Sequence, residues 1–291
     1  MSRRIPEPSR RPLLAVAVGS VALAGIAEAL LWRRWTRAAP DGAEASAARG
    51  LRAGAAILSV AVLLDSGIEH YRGSFKNPAM FIAPTLAMAT LGVTARGGKA
   101  TPYVLAASLV AGAAGVAFHS YNIGKRDGGF GMLNLFYAAP IGAPAALSLA
   151  ALFGLAADHP ETAKAQWVAP VVAVALLGTA AEAGLLHFRG AFQNPVMYAP
   201  VTLPPLAAVS LAAAAITPAA VPATRAALAG TALLGIAGPI FHSYGIHRNM
   251  GGWRNWSQMV LQGPPLPAPP AFLGLAVAGL GLLPSLEQRQ Q

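Results

Sequence analysis

Histidine is the side chain whose placement in this sequence most invites chemistry, because four of the six histidines are matched to one another by strings that each occur twice. Residues 67–86 (GIEHYRGSFKNPAMFIAPTL) align without a gap on 184–203 (GLLHFRGAFQNPVMYAPVTL) with 10 of 20 positions identical, which matches His70 with His187. The stretch GVAFHSYNIGKRDGG from Gly115 shares 8 of 15 positions with GPIFHSYGIHRNMGG from Gly238, which matches His119 with His242. Asp65 and Glu182 occupy equivalent positions, five residues before the first histidine of each copy. Neutral imidazole and carboxylate oxygen suit iron, manganese, zinc or copper, and paired imidazoles can hold haem iron axially. These six residues form the candidate metal set. The four histidines with Tyr121 and Tyr244 form a candidate haem or quinone set, since a tyrosine hydroxyl can donate to a quinone carbonyl or relay a proton. Arg72 and Arg189, two guanidinium groups in matching places, are candidates for binding a carboxylate, phosphate or lipid headgroup.

The sequence also bounds that chemistry. It contains no cysteine, which removes disulfides, thiolate metal sites, iron–sulfur clusters and c-type haem attachment. A spacing of five residues turns about 500° around a helix, so Asp65 and His70 share a face only if the helix unwinds at Gly67. The Glu-x-x-His pair of di-iron bundles is absent, as are a P-loop, a dinucleotide fingerprint, a serine elbow and HExxH. Each candidate has a structural alternative. The histidines can cap helix ends. Asp65 and Glu182 can pair with Arg72 and Arg189, and those arginines can snorkel to the interface. RGSFKNP and RGAFQNP read as turns in which Gly73 and Gly190 supply permissive backbone, Asn77 and Asn194 cap, and the proline opens the next helix. Trp253 and Trp256 fit an aromatic belt.

The elements that must position these residues are membrane helices. Of 291 residues 55% are hydrophobic and only 11% charged, far from the roughly one-quarter charged of a soluble domain. Apolar stretches near the 20 residues that a crossing needs run over 13–32, 51–70, 78–96, 102–121, 132–156, 168–187, 195–216, 222–244 and 266–284. This is an all-α integral membrane chain of about nine transmembrane helices: residues 1–50 hold a basic tail, a first helix and a loop, and 51–156 and 168–284 form two four-helix repeats. An even number of spans per unit makes the repeats parallel and puts all four motif loops on one face. Ser9-Arg10-Arg11 before an apolar run resembles a twin-arginine signal. Ala27-Glu28-Ala29, however, echoes Ala181-Glu182-Ala183, and we read 13–32 as a retained helix with Glu28 facing the bundle. Pro78, Pro102, Pro195 and Pro222 suit helix first turns, whereas Pro84, Pro140, Pro144, Pro200, Pro204, Pro205 and Pro239 are expected to bend their helices.

The net charge of +10 comes from 21 Lys and Arg scattered in ones and twos, the spacing of interfacial anchors rather than of a nucleic-acid surface. They divide 11 to 10 between the motif side and the other, a balance under the positive-inside rule, and our reading is a periplasmic motif face. The functional reading is a polytopic protein of the bacterial inner membrane and a redox-associated subunit. Its His and carboxylate groups hold a transition metal or haem, or frame a quinone site, near one face where an extrinsic redox protein docks. The alternatives are a transporter or channel with parallel repeats and a scaffold or assembly protein without cofactor.

Overall fold

The computed structural model describes residues 42–158, 165–255 and 257–288. The expected first span at 13–32, with Glu28, and Trp256 lie outside the described residues. Those residues are all-helical. Helix α1 runs Ala43–Arg72, α2 Ile82–Arg96, α3 Thr101–Gly124, α4 Met132–Tyr137 and α5 Ala145–Asp158. After the undescribed 159–164 come α6 Ala165–Arg189, α7 Ala199–Ala214, α8 Val221–Asn249 and α9 Pro270–Gln288. Short 3₁₀ turns at Pro78–Phe81, Pro195–Tyr198 and Pro218–Ala220 lead into α2, α7 and α8, and a wider π turn at Gln258–Gln262 precedes α9.

Taken with their leading turns, seven of these helices are long and apolar enough to cross a membrane. The expected span 132–156 is not one helix. It is divided into α4 and α5 by an irregular stretch at 138–144. Pro140 and Pro144 lack the N–H a helix needs, and each disfavours helical backbone in the residue before it. Alone, the 14 residues of α5 span about 21 Å, short of a hydrocarbon core of about 30 Å. Pro204, Pro205 and Pro239 lie inside α7 and α8, which continue through them.

Helices α1, α2, α3 and α5 close a ring in which each packs on the next and α5 returns to α1; α6, α7, α8 and α9 close a second ring by the same pairings. The rings join where α9 lies along α1. This seam is built from small residues that let two backbones approach closely, the means of association available where lipid removes any hydrophobic drive between helices. A Cβ on Gly50 would fall 2.5 Å from Gly281 Cα, and one on Gly54 2.7 Å from Gly274 O. Ser285 Oγ donates to Ala43 O at 3.0 Å, so the helices are antiparallel. One continuous core, including Leu58, Phe153, Val172, Leu211, Leu228 and Leu282, runs through both rings. Hydroxyls tie other helices together: Thr90 and Ser108 share a 2.7 Å bond, and Ser148 donates to Leu109 O at 2.8 Å.

Candidate functional site

The turn after α1 and the turn after α6 have the same backbone. Asn77 Oδ1 accepts from Ala79 N at 3.0 Å and Asn194 Oδ1 from Val196 N at 3.0 Å, so both asparagines cap as their position before proline suggests. The glycines do otherwise than expected. Gly73 has φ −76°, and the left-handed residues are the next two, Ser74 and Phe75 (φ 57° and 46°), matched by Ala191 and Phe192 (57° and 45°). Gly73 is small because Met80 lies over it: a Cβ there would sit 2.7 Å from Met80 Cε, and on Gly190 3.1 Å from Met197 Cε. The turn aims Phe75 onto Phe81 and Phe192 onto Tyr198, stacked pairs with ring centres 4.2 and 4.6 Å apart. Each stack is an apolar lid beside the histidine that ends the preceding helix, 6.2 Å from it in both cases.

Three of the four histidines are held by backbone carbonyls, but of other segments rather than their own helix ends. His70 Nδ1 bonds Met80 O at 2.5 Å, His119 Nδ1 bonds Pro140 O at 2.7 Å and His242 Nδ1 bonds Pro265 O at 2.9 Å. A carbonyl only accepts, so each ring is the Nδ1–H tautomer and its Nε2 keeps a lone pair. His187 departs from this pattern: its Nδ1 is buried without a partner, and its ring centre lies 6.4 Å from that of His242, the planes 81° apart. His70 lies within electrostatic reach of His119.

The acceptors Pro140 and Pro265 open two matching runs, Pro140-Ile141-Gly142-Ala143-Pro144 and Pro265-Leu266-Pro267-Ala268-Pro269. This is a third repeated string, PxxAP. Its closing proline packs on the helix that carries the histidine. A Cβ on Gly115 would meet Pro144 Cβ at 2.7 Å, and one on Gly238 would run into Pro269 Cβ. The irregular stretch at 138–144 thus presents a carbonyl to His119, and its counterpart does the same for His242. Gly142 donates its N–H to Glu182 Oε1 at 3.2 Å. The corresponding residue of the second run is Pro267, which has no N–H to give.

Asp65 lies within electrostatic reach of Glu69, of Glu182 in the other ring and of Arg72. The arginines serve other partners. Arg72 bonds Glu69 at 2.6 Å, while Arg189 donates to Phe136 O at 2.7 Å and lies 5.5 Å from the Tyr137 ring centre. Tyr121 and Tyr244 are exposed, Tyr121 beneath Lys125 at 5.1 Å. Of the six expected ligands, His187 and His242 are brought together ring to ring, and among the described residues no three His, Asp or Glu side chains are grouped to hold a metal ion. His247, absent from the candidate set, stacks on Trp253 at 4.3 Å with its own Nδ1 buried and unpartnered. Its counterpart in the other string is Gly124, over which Phe130 lies. That exchange of Gly for His between otherwise matched strings was the signal for it.

Apolar helices of crossing length, joined along a small-residue seam, are those of a polytopic membrane protein. Compared with known proteins, the chain matches no family model, no curated protein and no solved structure.

Proposed function

We propose that this is a redox-associated subunit of a bacterial inner membrane, built from two four-helix repeats in the same orientation, 51–156 and 168–284. At least one pair of its imidazoles holds a redox-active metal, haem or quinone near one membrane face. The observation that carries the reading is the carbonyl tether that fixes His242 and leaves its Nε2 free, a tether that recurs at His70 and His119. A ligating histidine commonly donates its second ring N–H to a backbone carbonyl or carboxylate, which fixes tautomer and ring orientation and makes the free nitrogen a better donor. Helix capping alone asks for no such bond to a distant segment. Matching ring pairings and a third matched string, PxxAP, support the repeats. The half-exposed aromatics at the same end, among them Tyr71, Phe118, Phe188 and Phe241, suit docking of an extrinsic redox protein.

The test is an absorption spectrum, elemental analysis and quinone extraction on the full chain purified in detergent. A Soret band, near-stoichiometric metal or co-purified quinone is the expected result; the absence of all three refutes the reading. A second reading, a transporter, is favoured by one observation: the irregular backbone at 138–144 with Gly142 N–H on Glu182. Non-helical backbone at membrane depth is tolerated where protein or a water-filled cavity satisfies it, and such breaks build transport sites. Substrate uptake into proteoliposomes without any bound group would favour it.

A further inference from the structure

The two histidine pairs are not equivalent. In the first, His70 and His119 each have Nδ1 committed to a carbonyl, Met80 O and Pro140 O. In the second, His242 is committed to Pro265 O but His187 is not committed to the matching carbonyl of Met197; its Nδ1 is buried and unpartnered, and its ring lies 6.4 Å from that of His242 with the planes 81° apart. A buried polar nitrogen without a partner costs about 1–3 kcal/mol, so an orphan at a place where the other copy has a partner asks for an explanation. A bound group supplies one.

Accepting the redox reading above, we infer that His187 and His242 are the resident ligand pair, gripping one metal centre from opposite sides, while His70 and His119 serve to position the first repeat. Distance favours opposed ligation. With metal–nitrogen bonds near 2 Å and a ring nitrogen about 1.1 Å from its ring centre, two imidazoles across a metal place their centres about 6.2 Å apart, against about 5 Å at a tetrahedral angle. The observed separation is 6.4 Å. His242, with Nδ1–H on Pro265 O, offers Nε2; His187 has its Nδ1 to offer. The Phe192–Tyr198 stack stands beside His187 as an apolar wall, which limits water at the pair and so tunes any metal held there. The shared chemistry is a centre that accepts two imidazoles in opposition, met by haem iron and by a lone monovalent copper ion.

The experiment purifies the full chain from cells supplied with a haem precursor and copper. It measures iron, copper and the Soret band per chain for wild type, His187→Gln, His242→Gln, His70→Gln and His119→Gln, with size-exclusion profiles to establish folding. Expected is a loss of tenfold or more of the bound metal in each of the His187 and His242 variants, and less than twofold in the His70 and His119 variants. Iron with a Soret band identifies haem; copper without one identifies the ion. Should either second-pair variant elute as aggregate, competition of copper(I) or haemin for folded wild type against diethyl pyrocarbonate modification, mapped by mass spectrometry, replaces it, with protection expected at His187 and His242. Metal retained without those two histidines, or lost equally from all four variants, overturns this assignment and leaves the redox reading standing. No metal or haem in wild type, with none taken up on addition, overturns the assignment; a quinone found in its place preserves the redox reading.

Discussion

Replacing Gly50 by alanine at the α1–α9 seam adds one methyl group where there is no room for it. The new Cβ would lie 2.5 Å from Gly281 Cα, 3.0 Å from Val277 O and 3.1 Å from Gly281 N, all backbone atoms that cannot turn aside as a side chain can. Carbon atoms rest at about 3.5–4.0 Å, so the two helices must part by roughly 1 Å, which forfeits a quarter to a half of each contact well along the seam. Overpacking of this kind costs about 1–3 kcal/mol. Alanine also returns about 0.5–1 kcal/mol of helix propensity, leaving a net loss of up to about 2.5 kcal/mol. Gly92 and Gly178 are helical glycines with nothing within 4 Å of a built Cβ, so Gly92→Ala and Gly178→Ala keep only the gain. Graded SDS unfolding of the full chain in mixed micelles, followed by circular dichroism, should therefore separate Gly50→Ala from Gly92→Ala by about 1–3 kcal/mol. Because Gly50 and Gly281 touch, Gly281→Ala should cost a similar amount and the double substitution should not be additive. If Gly50→Ala unfolds together with Gly92→Ala or after it, the seam is not the close joint described here.

Two further expectations concern the matched turns. The chain has no native cysteine, so Ser74→Cys and Ala191→Cys can be labelled singly in sealed vesicles with an impermeant maleimide; both should react from the same side, and opposite sides would refute the parallel relation of the two four-helix units. Ala191 has φ 57°, a conformation that suits glycine better than alanine, so Ala191→Gly should raise stability by about 0.5–1 kcal/mol in thermal unfolding. A loss would show that the alanine methyl makes a contact worth more than the backbone strain.

The sequence by itself determines the membrane class and most helix boundaries, because these depend on local properties: twenty apolar residues match a bilayer, proline suits a helix first turn, and Asn77 and Asn194 before proline cap the turn that follows. It also displays the duplicated strings and the residues within them. Tertiary structure decided what those residues touch. The strings do not reveal that Gly73 is small to admit Met80, because that contact depends on how a side chain folds back over the turn. The break at 138–144 was hidden inside an apolar run whose composition suits an unbroken span; two prolines four residues apart outweigh that hydropathy by withholding N–H donors. Least legible of all were the partners of the histidines. Every residue carries a carbonyl, so nothing in the lettering of Met80, Pro140 or Pro265 marks its oxygen as the one that will fix an imidazole. Only the packing of each PxxAP run against the helix bearing His119 or His242 brings those oxygens within 3 Å, and only the absence of such a bond at His187 sets one histidine apart from the other three.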